Sequence, residues 1–374
     1  MCAEAKAGPP PAGRILVLNN YSLERVGREV AEEGKPAHHL YGADLLAAHG
    51  HRVEIIPCIE RTRSRLLRRL LFLVPPLGDV SQQWLAWKAC QRGDVIYAPC
   101  QTQTQLLSYF RALGLFRAPI VTLAHHPLQR GRLLRWRRPF LKLQLAGTDA
   151  FPSLSRGVAD ELDQLKGRPG WSQPVHWGPD LPAYPRPSGE SGNGAFSAGR
   201  TGRDFATLAA AAVQARVKVN IYCLRDAWRD EFAATAPWAD FTVVQQESDL
   251  GYRALLPKLA SARVHAIPLD PGTSLAGLTS LTDALALGKP VIMTRHRLID
   301  VDIEGEGIGR WVEPRDVEGW AKALAWFDAH PAEAAAMGRR ARALAENRWN
   351  YLQFVREISG ILSRVTGDGR RQGS

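Results

Sequence analysis

Apolar residues occur along the first half of the chain either in short continuous runs or at helical spacing. The runs RILVLNN (14–20), HRVEIIP (51–57), DVIYAP (94–99) and PIVTLAHHP (119–127) predict strands. Between the first two, AHHLYGADLLAAHG (37–50) has helical spacing and a terminal glycine, and the residues before it predict a loop. This alternation predicts a parallel sheet covered by helices.

The second half of the chain restarts the same alternation. Predicted strands are FSAGR (196–200), KVNIYCL (218–224), FTVVQQ (241–246), RVHAIPL (263–269) and KPVIMT (289–294). Helical stretches fall between them, at 204–215, 252–262 and 278–288. The pattern predicts an α/β protein made of two Rossmann-like, doubly wound domains that face a central cleft.

A stretch dense in Pro, Gly and Ser, from 175 to 196, separates the two halves and predicts an interdomain linker. The last predicted helix runs from about 346 to 365 and carries apolar residues on one side. We expect it to pack on a domain surface, and a return to the first domain is one option. The predicted divisions are a disordered tail (1–13), a first domain (14–180), a linker (181–194), a second domain (195–345) and a terminal helix with its tail (346–374).

The composition is that of a folded, water-soluble protein, with 45% hydrophobic and 23% charged residues among 374. No apolar run reaches the roughly 18 residues of a membrane span, and the start of the chain lacks the order of a signal peptide. Five cysteines without a CxxC pair argue against a disulfide framework or a zinc site. We therefore expect a cytoplasmic location, and no acidic or histidine cluster is spaced for a metal.

The formal net charge of +11 is concentrated in one segment. Residues 61–142 contain 15 Lys or Arg and two Asp, and the basic residues alternate with Leu, Phe and Trp. Such mixtures are typical of helices at an anionic membrane surface, where each basic residue contributes about 1 kcal/mol. A solvated basic face is the alternative interpretation. No nucleic-acid-binding motif is present, so no nucleic-acid partner is expected.

The strand end at GRTGRD is the first candidate site, because ligands of open α/β sheets bind beyond the carboxyl ends of strands. Gly199 allows close backbone approach, and Arg200 and Arg203 supply cationic forks suited to phosphate oxygens. Asp204 is placed to cap the following helix. The stretch predicts a pyrophosphate site.

The stretch LTSLTDALALGKPVI is the second candidate. Gly277, Leu278, Thr279 and Ser280 are predicted at a helix N-terminus, where backbone N–H groups favour phosphate. Asp283, further along the helix, is placed to accept hydrogen bonds from vicinal hydroxyls such as those of a ribose. The same residues are also ordinary helix-capping chemistry, so spacing alone leaves both interpretations open.

The run GLTSLTDALALGKPVIMT, with GIGRWVEPRDVEGWAKALAWF and MGRRARALAENRW after it, resembles the C-terminal donor domain of GT-B glycosyltransferases. The similarity is to the large retaining group that includes family 4, and it covers roughly residues 194–365. The first half resembles the group only in architecture. The resemblance implies a second domain that binds a nucleotide-sugar, a first domain on the acceptor side, and transfer with retention that needs no metal cofactor.

The resemblance also implies roles for single residues. Asp283 falls where the family has the second glutamate of its E-x7-E motif, which holds the ribose. Arg200 and Arg203 fall where the family has Arg and Lys for the donor diphosphate. Two departures stand out: Asp replaces Glu at 283, and Leu275 occupies the place of the first glutamate.

Further candidates lie at other strand ends and loops. They are a nucleobase region at Gln245, Gln246 and Glu247, a catalytic pair at His125 and His126, and acceptor contacts at Gly34, Lys35 and His38. The histidines are placed to contact the reacting sugar or the acceptor. A histidine pair before a proline is otherwise often structural.

These observations together predict a nucleotide-sugar-dependent glycosyltransferase acting on a glycan, a lipid-linked or a small-molecule acceptor. A peripheral position on the inner face of the cytoplasmic membrane follows from the basic segment. A dehydrogenase is disfavoured because no GxGxxG follows RILVL. An epimerase or a phosphorylase on the same fold remains an alternative, and so does a catalytically silent, membrane-binding scaffold, because the first acid of the motif is missing.

Overall fold

The computed structural model describes residues 13–58, 77–129, 134–187, 192–245, 251–272 and 274–371. Its strands are β1 (Arg14–Val17), β2 (Arg52–Ile55), β3 (Val95–Ala98), β4 (Ile120–Thr122), β5 (Ala195–Ala198), β6 (Val219–Leu224), β7 (Ala239–Val244), β8 (Val264–Ile267), β9 (Val291–Thr294) and β10 (Gly309–Val312). Its α-helices are α1 (Leu23–Glu33), α2 (Val80–Ala89), α3 (Gln105–Ala112), α4 (Leu134–Ala146), α5 (Arg156–Lys166), α6 (Phe205–Ala215), α7 (Tyr252–Ser261), α8 (Leu278–Ala286), α9 (Val317–Ala329), α10 (Pro331–Asn347) and α11 (Tyr351–Arg371).

The first sheet has the strand order β2-β1-β3-β4, and all its strand pairs are parallel. Ile15 on β1 pairs with Val53 on one side and Val95 on the other. The residues of β3 are buried on both faces, as expected for a parallel strand covered by helices. At the amino edge, Arg14 is held by an ion pair of 2.8 Å to Asp94.

The second sheet has the order β10-β9-β8-β5-β6-β7, again with parallel pairing. Counted from β5, this is the 3-2-1-4-5-6 order of a dinucleotide-binding fold. The strand order reverses between β5 and β8, and a crevice opens at such a reversal, beyond the carboxyl ends of the strands. Two parallel-sheet α/β units are present, as the sequence predicts.

The segment after β1 differs from the prediction. The expected loop contains α1, because Ser22 accepts a hydrogen bond from the Arg25 N–H at 3.1 Å and Gly34 ends the helix in the left-handed conformation. The expected helix at 37–50 is wrong and is replaced by two short 3₁₀ turns. Gly42 interrupts it with a φ of 91°, and a Cβ there would lie 3.5 Å from a methyl group of Val355 on α11.

The C-terminal segment also differs, because two helices meet where one was expected to begin. The last helix starts at Tyr351, and Asn350 caps it by accepting a hydrogen bond from the Gln353 N–H at 2.9 Å. Phe354 and Ile358 on α11 are fully buried in the same apolar cluster as Ile15 on β1. Helix α11 therefore packs on the first sheet, although it follows the second in sequence.

No helix in the described parts of the chain is long and apolar enough to span a bilayer. The basic segment is described at 77–129 and from 134 onwards, whereas 59–76 and 130–133 lie outside the described residues. Residues 1–12 of the predicted tail and 188–191 of the predicted linker also lie outside them.

Candidate functional site

Arg203 lies at the reversal of strand order in the second sheet. Its backbone bridges to Leu269, which follows β8, and its guanidinium reaches back to the end of β5. The guanidinium donates to the carbonyl oxygens of Ala198 (3.4 Å) and Thr201 (3.2 Å) and to Ser280 Oγ (2.8 Å). Three of the five N–H donors of the arginine are thus engaged, and two remain for a ligand.

Gly199 is the residue that allows this position of the guanidinium. Its φ is 150°, and a Cβ at this position would lie 2.3 Å from Nε of Arg203. A larger residue would therefore push the guanidinium away from the strand end. Burial lowers the pKa of Arg203 to about 10, so the group is still a cation at neutral pH.

The N-terminus of α8 meets the same guanidinium. Ser280, in the first turn of α8, accepts from Arg203 and donates to the Ala198 carbonyl oxygen at 3.1 Å. Gly277 is the N-cap, with no side chain over the free N–H groups, and Thr279 is exposed beside them. A helix N-terminus carries partial positive charge, so a cation and a helix end lie together at one strand end.

Arg200 and Asp204 flank this arrangement. Arg200 is exposed, unlike Arg203, so the two predicted phosphate ligands lie in different environments. Asp204 caps α6 by accepting from the Thr207 N–H at 3.1 Å and from the Thr207 hydroxyl at 2.6 Å. The predicted capping by Asp204 is confirmed.

Asp283 is buried in the middle of α8, with 7% of its surface exposed. The Tyr184 hydroxyl, from the segment that joins the two sheets, donates to Asp283 Oδ1 at 2.6 Å. Burial raises the pKa of Asp283 to about 7, and the hydrogen bond from Tyr184 partly opposes this shift. The sequence predicts a contact with ribose here; in the structure one carboxylate oxygen is already engaged by a tyrosine that sequence reasoning missed.

The two predicted catalytic histidines point to different surroundings. His125 Nε2 donates to the Pro99 carbonyl oxygen at 2.5 Å, and burial lowers the pKa of His125 to about 4. This ring is held within the first domain as a neutral donor. His126 crosses the cleft, where its Nδ1 accepts from the Leu275 N–H at 3.1 Å.

Gln101 fixes the backbone of this histidine pair. Its Oε1 accepts from the N–H groups of His125 (2.7 Å) and His126 (3.0 Å), and its Nε2 donates to the His126 carbonyl oxygen at 3.1 Å. Sequence reasoning missed Gln101. The one available signal was a polar residue shortly after β3.

The predicted acceptor contacts lie around the end of α1. Gly34 is the C-cap of the helix, and Lys35 forms an ion pair of 2.6 Å with Glu29. His38 is fully buried, its Nδ1 accepts from the Asp180 N–H at 3.2 Å, and burial lowers its pKa well below the usual range. The His38 side chain is therefore packed inside the protein.

The fold resembles that of solved structures, among them glycosyltransferases. Anabaena HepE in complex with UDP matches with a TM-score of 0.62 and 16% identity, over 94% of this chain and 100% of that chain. Sucrose-phosphate synthase from Thermosynechococcus elongatus matches with a TM-score of 0.66 and 16% identity, over 96% of this chain and 100% of that chain. WaaG, a glycosyltransferase of lipopolysaccharide biosynthesis, matches with a TM-score of 0.59 and 15% identity, over 93% of this chain and 98% of that chain.

The matches cover both sheets and the cleft between them. The chain has the GT-B fold. The resemblance to GT-B glycosyltransferases of the family 4 type, expected from the sequence, is confirmed at the level of the fold. No protein-family model and no curated protein sequence matches the chain.

The two domains of this GT-B chain also meet through aromatic residues that sequence reasoning missed. His39 Nε2 lies 2.9 Å from the Tyr252 hydroxyl across the cleft, and burial lowers the pKa of His39 to about 3. The neutral ring packs edge-on against Trp177. This contact and the one between His126 and Leu275 hold the two halves together beside the candidate site.

The remaining predictions concern the base and metals. Gln245 is exposed directly after β7, whereas Gln246 and Glu247 lie outside the described residues. Among the described residues, no group of three or more His, Cys, Asp or Glu is arranged to hold a metal ion. The groups that meet at the strand end of β5 are instead suited to an anion.

Proposed function

We propose that this chain is a glycosyltransferase that moves a sugar from a nucleotide-sugar to an acceptor hydroxyl, with retention of configuration. The observation that carries the proposal is the guanidinium of Arg203 beside the N-terminus of α8, where the strand order reverses. A diphosphate fits this combination of a fixed cation and free backbone N–H groups.

The proposed chemistry uses this arrangement for the leaving group. The bond between the sugar C1 and the β-phosphate oxygen breaks, the acceptor oxygen bonds to C1, and the hydroxyl proton leaves with the nucleoside diphosphate. Negative charge builds on the diphosphate during this step. Fixed donors aimed at that charge lower the barrier, and losing one such donor costs about 100- to 1,000-fold in rate.

UDP is the first nucleotide to test, because HepE was crystallised with UDP and with UDP-glucose. In the proposal, Arg203 and the α8 N-terminus hold the diphosphate, with Arg200 closing from the exposed side of the loop. Asp283 binds the ribose through its carboxylate, and His126 lies beside the reacting sugar.

Nucleotide binding tests the proposal through Arg203. We expect UDP, GDP, dTDP or ADP to raise the melting temperature of the chain, and Arg203→Ala to weaken the binding of that nucleotide by about tenfold or more, because a charge-assisted hydrogen bond is lost. Arg216→Ala is the matched control, because Arg216 is exposed at the opposite end of α6. If no nucleotide binds, or if both variants bind like the wild type, the diphosphate site is wrong.

A catalytically silent GT-B protein is the second candidate function. Leu275 stands where the family has its first glutamate, and its side chain is buried in the apolar cluster of the first domain. An acid contacting the donor sugar is therefore replaced by a packing residue. A screen of sugar nucleotides for slow hydrolysis separates the two candidates, since a silent protein binds the nucleotide without releasing sugar.

We also propose that the basic face of the first domain contacts an anionic membrane, with the inner face of the cytoplasmic membrane as its location. On α4, Leu141 and Leu145 are buried in the core, whereas Arg138 and Lys142 are exposed and Trp136 is 80% exposed. A helix with an inward apolar face and an outward basic face that carries a tryptophan is suited to an interface. A lipid-linked acceptor would be reached from this position.

Vesicle flotation tests the membrane contact. We expect the chain to float with vesicles containing phosphatidylglycerol and not with vesicles of pure phosphatidylcholine. The double variant Trp136→Ala with Arg138→Gln should reduce the floating fraction severalfold. Raised salt should have the same effect, because surface charges are screened. Arg168→Gln, at an exposed position outside this helix, is the control. Equal flotation with both lipids would contradict the proposal.

A further inference from the structure

A cavity lies at the amino ends of the strands of the second sheet, on the side opposite to the candidate site. It has a volume of about 420 Å³ and is bounded by residues 185–187 and Gly192, the turn between α8 and β9, and helix α10. Arg263 and Pro290, which line it, immediately precede β8 and β9. The strands are parallel, so their amino ends face away from the cleft at which Arg203 lies.

The lining of this cavity is strongly basic. Its charged residues are Arg186, Arg263, Lys289, Arg339, Arg342 and Glu346. Arg263 pairs with Asp328 at 2.8 Å, and Arg342 pairs with Glu346 at 2.7 Å. The charges of the other three cations are not compensated by an ion pair within the described residues.

Lys289 is the most informative of these cations. It is only 9% exposed, and its ammonium group has no hydrogen bond or ion pair in the described chain. Partly burying a charge that has no ion pair is costly, and burial accordingly lowers the pKa of Lys289. An anion inside the cavity would supply the missing partner.

We propose that this cavity binds a phosphate group, free or esterified to a small metabolite, on the ammonium group of Lys289. Lysine binds phosphate as a point charge, and Arg186 and Arg339 at the mouth add two exposed cations. The volume is within the range of about 300 to 1,000 Å³ found for small-molecule sites, so it accommodates more than the phosphate itself. The site goes beyond the proposed glycosyl transfer, because it lies outside the cleft.

Calorimetric titration of the full chain tests the site, with inorganic phosphate and glucose 6-phosphate as separate probes. We expect saturable binding of at least one probe, and the tighter of the two identifies the free or the esterified form. Lys289→Met should weaken that binding by about tenfold or more, because a charge-assisted contact is lost. Arg203→Ala should leave it unchanged, which separates this site from the diphosphate site.

Two further measurements keep the test decisive. Lys289→Met replaces a buried, unpaired charge by an apolar chain of similar size, so its melting temperature without ligand should equal or exceed that of the wild type. If the variant does not fold, Arg339→Gln on the exposed face of α10 should weaken binding severalfold, with Arg356→Gln on α11 as the matched control. Absence of binding by both probes, binding unaffected at Lys289 and Arg339, or binding lost in Arg203→Ala would overturn the proposal.

Discussion

Asp283 and Tyr184 form a buried pair whose properties depend on protonation. The carboxyl group is nearly inaccessible to water, and its hydrogen-bond donor, Tyr184, comes from the segment that joins the two sheets. Because burial raises the pKa of Asp283 to about 7, the group changes charge near neutral pH. The proposed ribose contact therefore becomes a charged one only towards alkaline pH.

Asp283→Asn should reveal this titration as a change in stability. The folded-state pKa is above the ordinary value of 3.8, so the carboxyl group contributes stability below about pH 4, which is lost as the pH rises through 7. Asn does not titrate. The free energy of unfolding of the variant, relative to that of the wild type, should therefore increase by about 1 to 4 kcal/mol between pH 4 and pH 8. Urea unfolding at both pH values measures the difference.

Asp240→Asn is the control for this experiment, because Asp240 is exposed on β7. It removes one carboxylate without changing a buried site. If the stability of Asp283→Asn relative to the wild type is the same at pH 4 and pH 8, Asp283 does not titrate in the folded protein as argued.

Residue types alone indicate some of these roles. The capping by Asp204 follows from its place before a helix, and the chemistry of Arg203 follows from a glycine-rich strand end. The difference between His125 and His126 does not follow, since the two are identical neighbours in sequence. It arises because one ring meets the Pro99 carbonyl within its own domain and the other meets Leu275 across the cleft.

At the scale of elements, α11 links the C-terminus of the chain to the first domain. Phe354 has no exposed surface and packs in the cluster that contains β1, whereas Leu352 on the same helix is 60% exposed. The apolar spacing of the helix identifies its buried face in the sequence. The surface that it covers is set by the fold, because β1 is more than 300 residues away.

Phe354→Ala should destabilise the protein by about 3 to 5 kcal/mol, because it removes a large buried side chain and leaves a cavity. Leu352→Ala, on the exposed face of the same helix, should change the free energy of unfolding by less than about 0.5 kcal/mol. Chemical denaturation of both variants measures the contrast. Similar losses in the two would mean that α11 does not pack on the first domain through this face.

The helix prediction at 37–50 shows what local spacing omits. Apolar residues at helical spacing are compatible with α-helix, but Gly42 contacts α11 closely and adopts a positive φ that breaks the helix. The α-helix forms earlier, at α1, where Ser22 provides a cap. The Gly42 N–H also donates to the Tyr351 hydroxyl on α11 at 2.9 Å, and this contact joins residues 309 positions apart, so no local pattern could reveal it.

In the molecule as a whole, several hydrogen bonds join the two domains, one of them from the Arg156 N–H to Asp300 Oδ2 at 2.7 Å, and two others lie beside the candidate site. The Tyr252 hydroxyl bonds to His39, and the Leu275 N–H bonds to His126. Each joins one domain to the other, so both must break if the domains separate. The free energy that holds the closed arrangement therefore includes these hydrogen bonds.

Tyr252→Phe should shift the chain towards a more open arrangement, since one hydrogen bond of about 0.5 to 1.5 kcal/mol is lost while the ring stays. Small-angle scattering without nucleotide should show a larger radius of gyration than for the wild type. Tyr222→Phe, within the second domain and facing Phe196, is the control. A scattering profile identical to that of the wild type would contradict a closing role for the Tyr252 hydroxyl.

The fold class and the location of the anion-binding candidate could be predicted from the sequence alone, because strand periodicity and glycine-rich strand ends are local properties of the chain. The folded structure was needed to show which strands are neighbours, that α11 covers β1, and that Tyr184 donates a hydrogen bond to Asp283. It also decided that Lys289 is buried beside a basic cavity. These features join residues far apart in sequence, and the packing that brings them together depends on the whole chain.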